Sequence, residues 1–409
     1  MKIEEYLFGS EYPRLKRRAR RIAETLLNSP GKFIIYISPD TDSLISAYGL
    51  EKWLKNGGKD AEIRLVGEGL YGAHEPDLAE MPEDSNLIMA DMGVDDYTAH
   101  NLPKHLSKFK TITIIDHHLK TPEYLESGIE DRAQTLIAED RGSSAALVRL
   151  IVGDSLSDLH IIASLAGDAY SIERRGDEWR DILSIAPAKV RGLISYSQKL
   201  SEKKTYEIPA ILSSTLRRCV RRDYFEGSKL ALEILRNFPD MMELILPISK
   251  DDERMELFFK WRNVLNEEYE ARESAMKYTN RLVYDKGRLI IGFTDYCPSL
   301  LASSISGEVR ESLVVAVQHD NGFGHTKGSI RGPKTLKYIA ALKRKIPNLF
   351  GGGHREAGGF HIINGAKISP SRILDYLLES YSEIEQKDLS LTAKEDLKNA
   401  KKRRRVVTT

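Results

Sequence analysis

Cysteine is nearly absent: Cys219 and Cys297 are the 2 in 409 residues. They stand far apart without metal-ligand spacing, which excludes a disulfide framework and a thiolate metal centre and fits a reducing compartment. No apolar run reaches the about 18 residues that a spanning helix needs, so no membrane segment is expected. The first residues, MKIEEYLFGSEY, have one lysine and no apolar run behind it, unlike a secretory signal, and the chain is expected in the cytoplasm. An excess of either charge is also missing. Lys+Arg 61 against Asp+Glu 60 leaves +1, so a globally basic nucleic-acid binder is excluded and any basic surface is local. What is present is ordinary for a globular chain: 41% hydrophobic and 30% charged residues, at a length that predicts two or three domains.

The stretch around which the chain is organised is Tyr36-Ile37-Ser38-Pro39-Asp40-Thr41-Asp42-Ser43. The apolar run Phe33-Ile34-Ile35 precedes it, and the small and apolar pattern from Leu44 to Leu50 follows. That is the outline of a buried strand, a tight turn at Pro39 and a helix. Carboxylates placed there lie at the carboxyl edge of a parallel sheet, where α/β folds bind ligands. Asp40 and Asp42 either hold metal or cap a helix, and Ser43 is a further candidate cap.

Residues 13 to 29 have Leu15, Ala19, Ile22, Leu26 and Leu27 at helical spacing. Lys16, Arg17, Arg18, Arg20 and Arg21 make this helix basic, either as a solvated face or as a contact for nucleic-acid phosphates. Strands are predicted at Phe33–Ile37, Ala61–Val66, Asn86–Met89 and Thr111–Ile115, and helices at Thr41–Asn56, Ser143–Ile151, Ser157–Ala169 and Arg180–Gln198. The alternation argues for a parallel sheet covered on both faces. From 195 to 280 strand signals vanish and helices are predicted at Tyr224–Asn237 and Asp252–Tyr278. Strands return at Leu282–Tyr284, Arg288–Phe293, Leu313–Gln318, Gly328–Arg331 and Gly359–Ile363, with helices at Thr335–Lys345 and Pro370–Ser382. The fold class is therefore α/β. A first α/β domain at 1–194 precedes a helical linker or inserted module at 195–280. A smaller α/β domain at 281–385 and a basic tail at 386–409 complete the chain.

Two predicted strands end in acidic or histidine groups: Asp91 after Asn86–Met89, and Asp116-His117-His118 after Thr111–Ile115. Asp168 lies late in a helical pattern. Strands that are parallel neighbours would bring Asp40, Asp42, Asp91, Asp116, His117 and His118 to one sheet edge. Clustered carboxylates without cations are electrostatically costly, and carboxylates with an imidazole suit Mn2+ or Mg2+, with Zn2+ or Fe as further options. Singly, each Asp reads as a turn or cap residue.

These motifs, in this order, resemble the DHH phosphoesterase superfamily, which includes RecJ-type nucleases, oligonucleotide and cyclic-dinucleotide phosphodiesterases and manganese pyrophosphatases. Pro39-Asp40-Thr41-Asp42-Ser43 resembles its first motif, Asp91 the second, Asp116-His117-His118 the third and Gly167-Asp168 the fourth. Gly142-Ser143-Ser144-Ala145-Ala146-Leu147 is a frequent companion. Gly328-Ser329-Ile330-Arg331 and the stretch from Gly351 to Phe360 resemble the DHH-associated C-terminal domain. The helical middle and the tail make archaeal RecJ-like proteins, of the kind associated with the GINS replication complex, the nearest subgroup.

The resemblance implies that 1–194 is a metal-binding catalytic domain, with the active-site cleft between the two α/β domains. It also implies a two-metal site, with Mn2+ or Mg2+. Asp42, Asp91, His117 and Asp168 would hold one ion; Asp40 and the bridging Asp91 would hold the other. Ions about 4 Å apart clamp a phosphate for in-line attack by water. His118 would meet the scissile phosphate or protonate the leaving oxygen, and Asp116 would orient the histidines. Arg331, Gly352, Gly353 and His354 would hold a neighbouring phosphate, Arg331 bidentately and the glycine loop through successive N–H groups. His325 either lines the same cleft or is a loop histidine. Phe350 and Phe360 either stack a base or anchor the loop. The implied activity is hydrolysis of single-stranded DNA or RNA as a RecJ-like exonuclease, in DNA replication or repair. The alternatives are a catalytically weakened scaffold binding a GINS-like partner, and a phosphodiesterase of short oligonucleotides. The sequence departs from the family pattern at one place. The histidine expected four residues before the first aspartate is Tyr36, a poor ligand at its usual pKa of about 10, so the first ion is expected to be weakly held.

Overall fold

The computed structural model describes residues 2–67, 70, 72–167, 181, 182, 184, 185, 224–244, 252–261, 263, 281–295, 297–309 and 311–386. Two compact units divide the chain, Met1–Ser274 and Ala275–Thr409.

The first unit opens with α1 (Ile3–Phe8) and α2 (Tyr12–Asn28). Then β1 (Phe33–Ile37), α3 (Thr41–Asn56), β2 (Ala61–Leu65), α4 (Glu75–Glu80), β3 (Asn86–Ala90) and α5 (Asp96–Asn101) follow. Next come β4 (Thr111–Asp116), α6 (Pro122–Glu126), β5 (Gln134–Ile137), α7 (Ser144–Val152), α8 (Asp158–Gly167) and α9 (Tyr224–Asn237). The strands form one parallel sheet in the order β2-β1-β3-β4-β5. β1 and β3 are buried at every residue, which is why they read as unbroken apolar runs rather than alternations. The two-residue period still sorts them by face. Phe33, Ile35 and Ile37 join α2, α3, α7 and α8 in the main core, whereas Tyr36 lies on the other face.

The sheet order makes β1, β3 and β4 direct neighbours, as the convergence of the acidic motifs required. Part of the helical middle belongs to this unit. Leu230, Ala231, Ile234 and Leu235 of α9 enter the same core, and Arg236 grips the buried Glu51 of α3 through two 2.8 Å bonds. Of the predicted helix Arg180–Gln198 only Asp181, Ile182, Ser184 and Ile185 are described, with Ile182 in the same core; most of Asp252–Tyr278 and the basic tail past residue 386 lie outside the described residues.

The second unit is a six-stranded sheet in the order β10-β11-β9-β8-β7-β6. Its strands are β6 (Arg281–Tyr284), β7 (Leu289–Phe293), β8 (Leu313–Gln318), β9 (Thr326–Arg331), β10 (Leu349–Gly353) and β11 (Ala357–Ile362). Only β7 and β8 run parallel, joined through α10 (Pro298–Glu308), as a crossover connection requires. α11 (Thr335–Lys345) and α12 (370–386) pack Tyr338, Ile339, Leu342, Ile373 and Leu377 on one face, and Leu301, Ala302 and Ile305 of α10 cover part of the other.

The glycine triplet corrects one expectation. Gly351-Gly352-Gly353 is the edge strand β10, paired antiparallel with β11, and not an open loop. The reason is steric: a Cβ on Gly351 would lie 2.6 Å from the Gly359 carbonyl oxygen, and Gly353 has φ +134°. No described helix is long and apolar enough to cross a membrane.

Candidate metal centre

Each strand end places one part of the site. After β1 the chain turns into α3, and Asp40 is the N-cap, its carboxylate accepting the Ser43 N–H at 2.9 Å. The cap is thus Asp40 and not Ser43, whose hydroxyl donates instead to Asp91 Oδ2 at 3.0 Å. Asp42, the second residue of α3, faces another helix. Its carboxylate accepts the first two N–H groups of α7, from Ser144 at 2.6 Å and Ala145 at 2.9 Å, and the Ser164 hydroxyl at 2.7 Å. A helix N-terminus favours an anion there. The companion motif therefore has a local purpose: Ser143 caps α7, and Ser144 holds Asp42 with its N–H and Asp91 Oδ1 with its hydroxyl, at 2.9 Å.

Asp91 follows the last residue of β3 with φ +61°. Left-handed backbone is tolerated by Asp better than by most residues and is concentrated at functional positions. Its N–H still bonds Ile115 O at 2.9 Å, so the turn begins while the strand is held to β4. At the end of β4, Asp116 Oδ1 accepts the backbone N–H groups of His117 (2.7 Å) and His118 (3.0 Å), and His118 Nδ1 lies 2.8 Å away. Asp116 Oδ1 thus bonds the backbone of both histidines and the ring of His118. His117 Nε2 lies 3.2 Å from Asp91 Oδ1 and 3.5 Å from Asp42 Oδ2.

The result is two donor groups that share Asp91: Asp42, Asp91 and His117, and Asp91, Asp116 and His118, with the ligand atoms of each group within 4.8 Å of one another. Asp42, Asp91, Asp116 and His117 are buried, and His118 is partly exposed. Burial lifts the Asp42 carboxyl above the usual carboxylate range despite the bonds from Ser164, Ala145 and Ser144, and the Asp40 charge adds to the rise. Burial works against a charged His118, but the Asp116 charge and hydrogen bond, with help from Asp40 and Asp42, push it up to about 9. Asp116 Oδ2 is buried without a hydrogen-bond partner among the described residues. Buried carboxylates at a cost to their ionised form, an orphaned oxygen and an imidazole form a donor set that fits a hard divalent cation. Asp40 acts on the group through its charge but lies outside both donor groups, and Asp168 lies outside the described residues.

Tyr36 has a definite place. Its hydroxyl donates to Asp77 Oδ2 at 2.6 Å and accepts the His74 N–H at 3.2 Å. Burial would raise the Asp77 carboxyl, but bonds from His74, Tyr36 and the Gly67 N–H hold it below the usual range. Among the residues that matter here, Ser164 and Asp77 were not legible. Ser144 stood inside a quoted motif, and its position at a helix start was the available signal.

In the second unit, Arg331, Gly352, Gly353 and His354 gather at one end of the sheet. Arg331 pairs with Ala357, Gly353 with Gly358, and the His354 N–H bonds Ala357 O at 2.7 Å. The Arg331 guanidinium is held by Ser329 Oγ (2.9 Å), Ile330 O (2.8 Å) and Ser303 Oγ (3.2 Å). Phe360 is a core anchor, 1% exposed, whereas Phe350 stacks on His361 at 5.7 Å. His325 Nδ1 accepts the Asn364 N–H at 3.0 Å, a loop-fastening role.

No protein-family model and no curated protein matches the chain. Solved structures do. The DHH domain of a member of a ribosomal-protein family is 14% identical, with TM-score 0.60 over 92% of this chain and 93% of that one. Exonuclease RecJ bound to manganese is 16% identical, with TM-score 0.55 over 90% and 94%. RecJ from Thermus thermophilus, in complex with Mn2+, is 14% identical with TM-score 0.57; the match covers 90% of this chain and 55% of that longer one. At these identities the likeness establishes architecture, and the chain carries the two-domain fold of RecJ and DHH-domain proteins.

Proposed function

We propose that this chain is a metal-dependent phosphodiesterase that hydrolyses single-stranded DNA or RNA, a RecJ-like exonuclease of the DHH superfamily. The observation that carries the reading is Asp91. It sits in left-handed backbone at a strand end, its carboxylate 3.2 Å from His117 Nε2, in one donor group with Asp42 and His117. Asp42, Asp91, His117 and Asp168 would hold one Mn2+ or Mg2+, and Asp40 and Asp91 a second, more weakly held. When bound, the ions neutralise phosphate charge and supply a water of lowered pKa.

The chain's own residues do the rest. Ser43, Ser144, Ser164 and the α7 N-terminus fix the two central carboxylates in place before any ligand arrives. Asp116 takes the Nδ1 side of His118 and directs the Nε2 edge away, where a proton on Nε2 can pass to the leaving oxygen. Arg331, with Gly352, Gly353 and His354, would bind a neighbouring phosphate.

One observation favours a second reading, a replication-complex scaffold with weakened chemistry that binds a GINS-like partner. Where the family has a histidine, the Tyr36 hydroxyl is committed to Asp77 and the His74 backbone. A Mn2+ titration of nuclease activity in wild type and Tyr36→His separates the two. The enzyme reading expects activity in both and a lower Mn2+ requirement for the histidine variant. No activity in either, with partner binding that survives Asp42→Asn, would leave the scaffold. Comparing a dinucleotide with a long strand distinguishes an oligonucleotide phosphodiesterase from an exonuclease.

A further inference from the structure

The basic run of α2 is arranged, not scattered. Leu15, Ala19, Ile22 and Leu26 are its buried face. Arg14, Arg17, Arg18 and Arg21 stand at i, i+3, i+4 and i+7, which places all four on one flank, exposed. That flank lies along β5, the edge strand of the parallel sheet: Arg18 Nη2 donates to Thr135 Oγ1 at 2.5 Å, and Gln134 donates to Thr25 Oγ1 at 3.1 Å. Arg14 is paired with Glu11 at 2.6 Å. Among the described residues, no ion pair or hydrogen bond engages the guanidinium of Arg17 or Arg21. Arg17 and Arg21 thus add no such bond, and the accumulation of like charge does not favour the helix. Like charges at i, i+4 repel, and cations in the first turns oppose the helix dipole.

The stripe also begins near the loop that leads to Ser144, the residue that holds Asp42 and Asp91. Arg141 reaches Glu11 at 3.6 Å, and Gly142 packs against Phe8, so the start of α2 adjoins the loop leading to Ser143 and Ser144. From Arg14 to Arg21 the helix covers about 10 Å, leading away from that loop down the side of β5.

We infer that the Arg14–Arg17–Arg18–Arg21 flank of α2 is a track for the phosphate backbone of a single-stranded nucleic acid, carrying the strand beyond the metal centre. This rests on the functional reading above for its ligand class, and charge complementarity selects the ligand. Guanidinium groups suit phosphate bidentately, and the flank presents no aromatic side chain, so contact is to backbone and not to base.

The test uses the full chain, without divalent metal, and a labelled oligothymidylate of about 30 nucleotides, with anisotropy read between about 50 and 200 mM salt. Arg17→Gln/Arg21→Gln should bind about tenfold more weakly at the lower salt, and its log–log salt slope should shrink by about 1.4, two phosphates at about 0.7 each. Lys16→Gln/Arg20→Gln, on the opposite flank, should change both less. Glutamine is a good helix former, so both variants should keep the wild-type circular dichroism and melting midpoint. Wild-type affinity and slope in the first variant, equal losses in both variants, or a wild type that binds no strand would each overturn the inference. Wild-type Mn2+-dependent cleavage of a dinucleotide is read separately, so an inactive metal centre and an absent track give different results.

Discussion

The Tyr36 hydroxyl gives its one proton to Asp77 Oδ2 at 2.6 Å, across 41 residues of sequence. That bond ties β1 to the segment preceding β3 and defines the residue's role as structural. Tyr36→Phe removes a donor from a carboxylate that burial already disfavours, and should cost about 1–3 kcal/mol in urea unfolding. The Mn2+ midpoint for activity should not move, because a phenol is not a ligand. A shifted midpoint with unchanged stability would make the Tyr36 hydroxyl a ligand of the ion.

Ser144 positions without touching the reacting atoms. Ser144→Ala keeps the backbone N–H to Asp42 and loses the 2.9 Å bond to Asp91. Partners of this kind typically tune metal affinity by about 10- to 100-fold. The Mn2+ concentration for half-maximal activity should rise by about tenfold. An unchanged Mn2+ requirement would show that Asp91 needs no such support.

Much of the site was legible because β1, β3 and β4 are buried on both faces and so announce themselves as apolar runs ending in Asp40, Asp91 and Asp116. β5 was not, since four residues beginning with Gln134 and Thr135 give no run and no clear alternation. β10 was not, because three glycines carry no hydrophobic period and the pairing that makes them a strand is long-range. The left-handed turn at Asp91, the Ser164 bond to Asp42 and the Tyr36–Asp77 bond depend on tertiary placement, which local pattern does not encode.

Gly328 illustrates that long-range constraint in the second unit. A Cβ there would lie 2.1 Å from the Phe360 ring, which is itself core. Gly328→Ala should destabilise the chain by about 1–3 kcal/mol through overpacking, measured by urea unfolding. Wild-type stability would mean that the ring can swing aside.

His160 sets an acid limit on stability. It is buried, stacks on Tyr48 at 5.5 Å, and its Nδ1 accepts the Ser157 N–H at 3.2 Å. Burial, reinforced by the Lys52 and Arg149 charges against Asp240, pushes its pKa from 6.5 down to about 4. The unfolded chain therefore takes up this proton first. Stability is full above pH 6.5 and falls as pH drops toward 4, by on the order of 3 kcal/mol. His160→Asn should flatten that part of the pH–stability curve, and an identical curve would remove His160 as its cause.

The central claim rests on Asp91. Asparagine tolerates the same left-handed backbone, so Asp91→Asn removes the charge with least disturbance to the turn. The decisive measurement is cleavage of an end-labelled single strand by wild type and Asp91→Asn across a Mn2+ titration. The account predicts Mn2+-dependent cleavage by wild type and a loss of about a thousandfold in the variant, about 4 kcal/mol of transition-state stabilisation. A strand left intact by wild type at saturating Mn2+, or cut equally by a folded Asp91→Asn, would contradict it.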